Sequence, residues 1–394
     1  MVQLEKVADV VGRGISPIYV EDHGVLVLNQ KCVRDGRVLI EPARRHDALK
    51  RSIPSKKLLS GGEILINSTG VGTLGRTAFV GKIYGPMTAD SHVTIVRAKS
   101  GFHPRWLGYA IRNLEPDIEA LAIGSTGQTE LGRSLVCGLP INVPPLAEQR
   151  AIATVLSALD DKIESNRRIQ NLLELESQVL YERYYEYDPE SSSCREVKLA
   201  ELADINPPRQ LKKGSIAKYV EMSSLPTMNA LIEHWEEREV GSGQKFLNGD
   251  TLVARITPCL ENGKGAFVDF LDENEVAWGS TEYIVLRPHE PLPSPWAYCL
   301  SRTTRFRDFA IRHMNGSSGR QRCDASALRE YLVRVAPEGL TNEFTKSVTK
   351  NFERMGLARD ENHALEKLRD ALLPELLSGR LRVKEAESIM ECVG

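Results

Sequence analysis

Pro144-Pro145-Leu146-Ala147-Glu148-Gln149-Arg150-Ala151-Ile152-Ala153-Thr154-Val155-Leu156 marks the point where the chain changes character. From Leu146 to about Tyr187 there is neither Gly nor Pro, and apolar residues stand at Ile152, Leu156, Leu159, Ile163, Ile169, Leu172, Leu173, Leu175, Val179 and Leu180. Steps of three and four place these side chains along one side of a helix, so the run predicts a single long helix with one apolar stripe. At about 1.5 Å per residue it spans on the order of 60 Å. The two prolines suit a first turn and Glu148 suits the positive end of the helix dipole. Asp188-Pro189 and the polar Glu190-Ser191-Ser192-Ser193 end it.

A second run, Thr341 to Ser378, carries a similar stripe at Phe344, Val348, Phe352, Met355, Leu365, Leu368, Leu372 and Leu376. Gly379 is placed to cap it, whereas Gly356 and Pro374 are expected to weaken or bend it. Ile169 aligns with Leu365, and Leu172 with Leu368. Neither helix can bury so long a stripe against a compact module, so the two are expected to pair as an antiparallel coiled coil. Its contacts are assigned to Ile152, Leu156, Leu159, Ile163, Ile169 and Leu172 on one helix and to Phe344, Val348, Phe352, Leu365, Leu368 and Leu372 on the other. Two unrelated surface helices are the alternative.

What precedes each helix is also duplicated. Val7-Ala8-Asp9-Val10 returns as Leu202-Ala203-Asp204-Ile205, Gly61-Gly62-Glu63-Ile64-Leu65-Ile66 as Asn248-Gly249-Asp250-Thr251-Leu252-Val253, and Gly124-Ser125-Thr126-Gly127 as Gly316-Ser317-Ser318-Gly319. So long a period means two copies of one domain rather than a solenoid. Each copy contains short β-branched runs closed by Gly, Asn, Asp or Pro: 24–28, 63–67, 77–80 and 92–96 in the first, 250–254, 265–268 and 281–286 in the second. A short helix is expected after each set, near 104–114 and 295–311. The expected class is α+β: a mixed module at 1–145, a helix at 146–190, a second module at 191–340, and a second helix with its tail at 341–394.

The chain has 394 residues, 41% hydrophobic and 26% charged, as befits a soluble protein with two ordinary domains. No apolar run approaches the roughly 18 residues of a membrane span, and Met1-Val2-Gln3-Leu4-Glu5 does not open a signal pattern, so a cytoplasmic location is expected. Seven dispersed cysteines without Cys-x-x-Cys spacing predict reduced thiols and no metal. The net charge of −2 hides a segregation: residues 1–145 hold 18 Lys and Arg against 13 Asp and Glu, while 146–190 hold 5 against 10. Charges act over about 8 Å at physiological salt, so the total neither favours nor excludes nucleic acid.

Three motifs suggest catalysis, and each lacks a feature that its chemistry needs. Gly70-Val71-Gly72-Thr73-Leu74-Gly75 fits a dinucleotide fingerprint, but strand-like Arg76-Thr77-Ala78-Phe79-Val80 follows where a helix is required, so a glycine-rich hairpin is expected. Asn206-Pro207-Pro208-Arg209 resembles the loop with which amino-methyltransferases grip a flipped adenine, with Arg in place of the stacking aromatic and no glycine-rich cofactor motif before it. Asp250, Glu261 and Lys264 lack the carboxylate-to-Lys spacing of a metal nuclease. Gly316-Ser317-Ser318-Gly319-Arg320-Gln321-Arg322 is different: small residues admit a phosphate chain, hydroxyls and amides donate to it, and Arg320 and Arg322 reach phosphate or a guanine edge. Its counterpart offers Ser125, Thr126, Gln128 and Arg133.

Together the residues resemble the specificity subunit of Type I restriction-modification systems over nearly the whole chain. The likeness is carried by Pro144 to Ala153 with Leu159-Asp160-Asp161-Lys162-Ile163-Glu164 and Asn166-Arg167-Arg168, by Asp250 to Lys264 with Gly279-Ser280-Thr281-Glu282-Tyr283, and by Leu372 to Leu381. It implies that each module is a target recognition domain reading one half of a split double-stranded DNA site. The helices then separate the modules and dock two methyltransferase subunits, with ATP-driven restriction subunits outside. It also implies no catalytic residue and no cofactor on this chain; S-adenosylmethionine, ATP and Mg belong to the partners, and no membrane is involved. Arg255, Thr257, Asn262 and Lys264, typical of the family, are expected to be structural or phosphate-binding. Candidates for base or phosphate contact are Arg44, Arg45, Lys50, Arg51, Lys56 and Lys57 in the first module and Arg209, Lys212, Lys213 and Lys245 in the second. The rivals are a DNA methyltransferase or nuclease acting alone, and a duplicated protein-binding scaffold that never touches DNA.

Overall fold

Short β-branched runs become strands because their side chains alternate between two buried faces. In the computed structural model, which describes residues 1–70, 72–83, 85–121, 130–186, 195–317 and 319–393, the chain divides into two units. One is Met1–Asp161 with Leu365–Gly394; the other is Lys162–Ala364.

In the first unit a six-stranded sheet has the order Ala8–Arg13, Val93–Ala98, Ile64–Asn67, Thr77–Phe79, Gly36–Val38, Val33–Arg34. Ile64, Ile66 and Val96 pack on one side with Trp106, Leu107 and Ile111 of the helix Pro104–Arg112. Leu65, Val93 and Ile95 point the other way, to Leu28, Met87 and Ala89 of a second sheet ordered Met87–Ala89, Val25–Leu28, Arg44–His46, Tyr19–Val20. The period of two thus makes a helix–sheet–sheet sandwich. Ile64–Asn67 and Thr77–Phe79 form an antiparallel hairpin, with Gly70, Gly72 and Gly75 at positive φ in its turn. The expected glycine-rich hairpin is therefore what forms.

The second unit repeats the plan. Its first sheet runs Ala203–Ile205, Tyr283–Pro288, Thr251–Ala254, Gly265–Phe267, matching the first four strands above in order. Val253 and Ile284 join Trp296 and Leu300 on the helical side, while Leu252 and Val285 join Val220 and Phe246 of the second sheet. That second sheet runs Glu236–Glu239, Ile216–Val220, Ala277–Gly279, Gln244–Phe246. Where one helix was expected near 295–311 there are two, Trp296–Arg302 and Thr304–Arg312, split at Thr303, whose hydroxyl caps the second by accepting from Phe306 N.

The first long helix is Leu146–Tyr181 and the second Glu338–Ser378. Within the first unit, Ile152, Leu156 and Leu159 share a core with Leu372, Leu373 and Leu376, flanked by half-buried Leu365 and Leu368. Asp160 there accepts from Arg369 Nη1 at 3.0 Å and from the Tyr109 hydroxyl at 2.6 Å. Within the second unit, Asn166 Nδ2 donates to Asn362 Oδ1 at 3.0 Å, Gln170 to the Met355 carbonyl at 3.2 Å, and Asn351 to Ser177 Oγ at 3.3 Å. Phe344, Val348 and Phe352 are buried beside them. Partner numbers fall along one helix as they rise along the other, so the pairing is antiparallel in both units.

Ile152, Leu156, Leu159, Ile163, Asn166, Gln170, Leu173 and Ser177 alternate steps of four and three, the heptad of a coiled coil. Leu172, assigned to this seam from the apolar pattern, is instead 56% exposed, and Leu175 and Val179 also face solvent. Leu173 holds the seam position. Asn166, Gln170 and Ser177 place polar groups on the seam, which shifts the apparent apolar stripe by a residue. Ile169 is half-buried at its edge. Gly356 and Pro374 both lie inside the continuous second helix. A Cβ at Gly356 would stand 2.9 Å from Asp269 Oδ2, so glycine leaves room for the carboxylate that Arg359 binds. Gly379, at φ +76°, closes the helix as expected.

The described cysteines Cys32, Cys137, Cys259, Cys299 and Cys323 are free thiols. No helix among the described residues is long and apolar enough to cross a membrane.

Candidate nucleic-acid interface

Both modules carry the same junction at the end of their central strand. In the first, Ser68 N donates to the His92 carbonyl and Leu131 N to the Ser68 carbonyl, each at 2.8 Å, while Thr69 bridges Glu130. In the second, Arg255 N donates to the Glu282 carbonyl at 2.9 Å and Cys323 N to the Arg255 carbonyl at 2.8 Å, while Ile256 bridges Arg322. The backbone is conserved between the copies, and the side chains are not. Thr69 Oγ1 and His92 Nδ1 are 2.9 Å apart at the first junction, and Arg13 Nη2 is 2.9 Å from Glu130. At the second, Glu282 accepts from Arg322 Nε at 2.8 and 2.9 Å, a pairing that holds the guanidinium pKa above its ordinary value.

The second junction adjoins the small-residue stretch of that module that was a candidate for DNA contact. Ser317 and Arg320 are exposed, beside the short hairpin Met314–Asn315 with Arg322–Cys323. Asp324 caps the next helix by accepting from Ser326 N at 2.9 Å, and that hydrogen bond is the main reason its carboxyl lies below the usual range. Ser125, Thr126, Gln128 and Ser318 lie outside the described residues. Arg133 is exposed at the start of the helix Arg133–Cys137.

In the first module the remaining candidates gather on and beside the second sheet. Arg44 lies over the Tyr19 ring, 3.4 Å from its centroid, and both edge an open depression with Arg45 and Ile40. Arg45 Nη1 donates to the Gly24 carbonyl at 3.1 Å, Arg51 Nη1 to that of Ser16 at 2.9 Å, and Lys57 Nζ to that of Gly14 at 2.7 Å. These three brace the backbone. Lys50, 3.7 Å from Asp47, and Lys56 are exposed.

In the second module several candidates are committed to the fold. Arg209 binds both oxygens of fully buried Asp250 at 2.9 Å, with Arg287 at 3.1 Å from the same carboxylate. Burial raises the Asp250 pKa against the lowering pull of Arg287 and Arg209. Arg209 therefore buttresses its loop rather than reaching outward, and Asn206, at φ +53°, accepts from Val285 N. Lys264 Nζ donates to the Met222 carbonyl at 2.8 Å and Lys245 Nζ to that of Leu211 at 3.3 Å. Lys212 and Lys213 are exposed. Arg255 Nε and Thr257 Oγ1 are buried beside the Arg322 hairpin with no hydrogen-bond partner among the described residues. Tyr19 was missed from sequence because its pairing with Arg44 comes from register, not proximity in the chain.

Asp250 sits with arginines rather than with Glu261 and Lys264, and no cluster of three or more His, Cys, Asp or Glu could hold a metal among the described residues. The arrangement can present cations and hydroxyls to a polyanion from two related frames.

The family model for the Type I restriction modification DNA specificity domain matches residues 53–175. The specificity subunit of the Type I restriction enzyme MjaIX from Methanocaldococcus jannaschii is 24% identical over 363 residues, 84% of this chain and 80% of that protein. The EcoAI specificity subunit from Escherichia coli is 34% identical over 92 residues, 23% of this chain and 15% of that one. The crystal structure of a Type I restriction-modification S subunit from M. genitalium shares the fold, with a TM-score of 0.57 at 16% identity over 95% of each chain.

Proposed function

As a member of the Type I restriction-modification specificity-subunit family, this chain, we propose, reads a bipartite, asymmetric DNA site and scaffolds the subunits that act on it. Each module reads one half-site, and the paired helices set the unread spacer between them. Two methyltransferase subunits dock on the helices and restriction subunits join outside, bringing S-adenosylmethionine, ATP and Mg; this chain, in the cytoplasm, performs no reaction of its own.

The observation that carries this reading is the recurrence of one backbone junction in both modules with different polar side chains on it. Equal frames with unequal surfaces suit two readers of two different sequences, since phosphate contacts fix register while base contacts choose sequence. A reconstituted complex with the methyltransferase subunits is expected to bind a duplex carrying the host's methylated motif far more tightly than a random duplex. Equal affinity for both would refute the proposal.

A further inference from the structure

Strand pairing fixes which residues of the two modules correspond. Val27 lies opposite Thr88 on one side and Arg44 on the other, and Leu26 lies opposite Arg45. In the second module Tyr219 lies opposite Trp278 and Glu236, and Lys218 lies opposite Glu237. The parallel pairs match, so Glu236 and Glu237, both exposed, occupy the places of Arg44 and Arg45. The basic strand of one copy is net acidic in the other, where Glu236, Glu237 and Glu239 outnumber Arg238, itself 3.4 Å from Glu236.

The helix beside the hairpin turn shows the opposite exchange. In the first module a Cβ at Gly75 would stand 3.3 Å from Glu119 N, so this turn packs on the helix Glu115–Leu121, where Asp117 and Glu119 are exposed. In the second a Cβ at Gly263 would stand 2.9 Å from Arg307 Nη1, so the equivalent turn packs on Thr304–Arg312. Arg307 is half-buried there and Arg312 exposed. Arg305 is held by Glu196 at 2.9 Å and is not counted.

Duplex DNA is negative everywhere, so an element that is basic in one copy and acidic in the other cannot hold phosphates in both. We infer that the modules grip the DNA backbone with different elements: the first with strand Arg44–His46, the second with helix Thr304–Arg312. Two identical protein partners would need like surfaces on both modules, so these exchanged surfaces suit DNA and leave the helices to the partners. The inference rests on the DNA-reading role proposed above.

The test is the salt dependence of binding of the full-length chain to a random-sequence duplex at low salt. Each phosphate contact contributes about 0.9 to the slope of log affinity against log salt, so R44Q, at the cation of that strand not tied to the backbone, is expected to lower it by about one, and R307Q/R312Q by about two. E236Q/E237Q and D117N/E119N, at the exchanged positions, are expected to leave it unchanged. Thermal unfolding of each variant verifies folding. If the wild-type chain binds with a clear slope but R307Q/R312Q retains it, the division of labour is overturned while the DNA reading stands. If the wild-type chain shows no salt-dependent binding, alone or with the methyltransferase subunits, both are overturned.

Discussion

Asn166 and Asn362 meet side chain to side chain at 3.0 Å inside the helix pair, and Asn166 Nδ2 also donates to Glu361 Oε2 at 2.7 Å. A polar pair on an apolar seam fixes register, because any slip leaves both amides buried without partners. Asn166→Leu is expected to destabilise the second unit by about 1–3 kcal/mol, since Asn362 is left unsatisfied. N166L/N362L is expected to recover most of that loss. Urea unfolding of the three proteins checks both; a double variant as unstable as the single one would argue against the pairing.

Arg209 and Arg320 should separate a structural cation from a binding one. Arg209→Met removes one of two arginines from buried Asp250 and is expected to cost about 1–3 kcal/mol while leaving the salt slope of DNA binding intact. Arg320→Gln is expected to leave stability unchanged and to lower the slope by about one. Paired melting and binding titrations decide it.

The Asp324 cap predicts a pH response. Its folded-state pKa is lowered, chiefly by the Ser326 amide, so the cap stabilises the fold above the ordinary carboxylate pKa and loses that contribution as pH falls through the lower folded value. Acid unfolding of Asp324→Ala should therefore start from lower neutral-pH stability and show a shallower pH dependence than the wild-type chain. Parallel curves would exclude the cap.

Removing one heptad from each long helix, residues 163–169 and 360–366, keeps the seam in phase. It shortens the pair by about 10 Å, or about three base pairs at roughly 3.4 Å each. The methylated motif is expected to lose spacer positions or to go unrecognised, with both half-sites unchanged. A changed half-site would contradict the spacer role.

Much of this was legible in the sequence for physical reasons. The strands Ile64–Asn67 and Thr251–Ala254 announced themselves because both their faces are buried and apolar. Glu236–Glu239 and Arg44–His46 did not, since short strands with charged side chains lack the apolar alternation that marks a half-buried strand. The long helices were evident, yet Leu172 was misplaced because polar Asn166, Gln170 and Ser177 hold seam positions that hydrophobicity alone cannot reveal. For the interface, residue type suggested Arg209 and Arg322 equally with Arg320. Only their partners, Asp250 and Glu282, distinguish cations spent on the fold from one facing solvent.

The central claim is that this chain chooses a split DNA site. It is tested most directly by mapping DNA methylation at single-base resolution in host cells with and without the chain. The account predicts a motif of two fixed halves around an unread spacer, lost when the chain is removed and altered in one half only when polar residues of one module are exchanged. An uninterrupted motif, or one that persists without the chain, would contradict it.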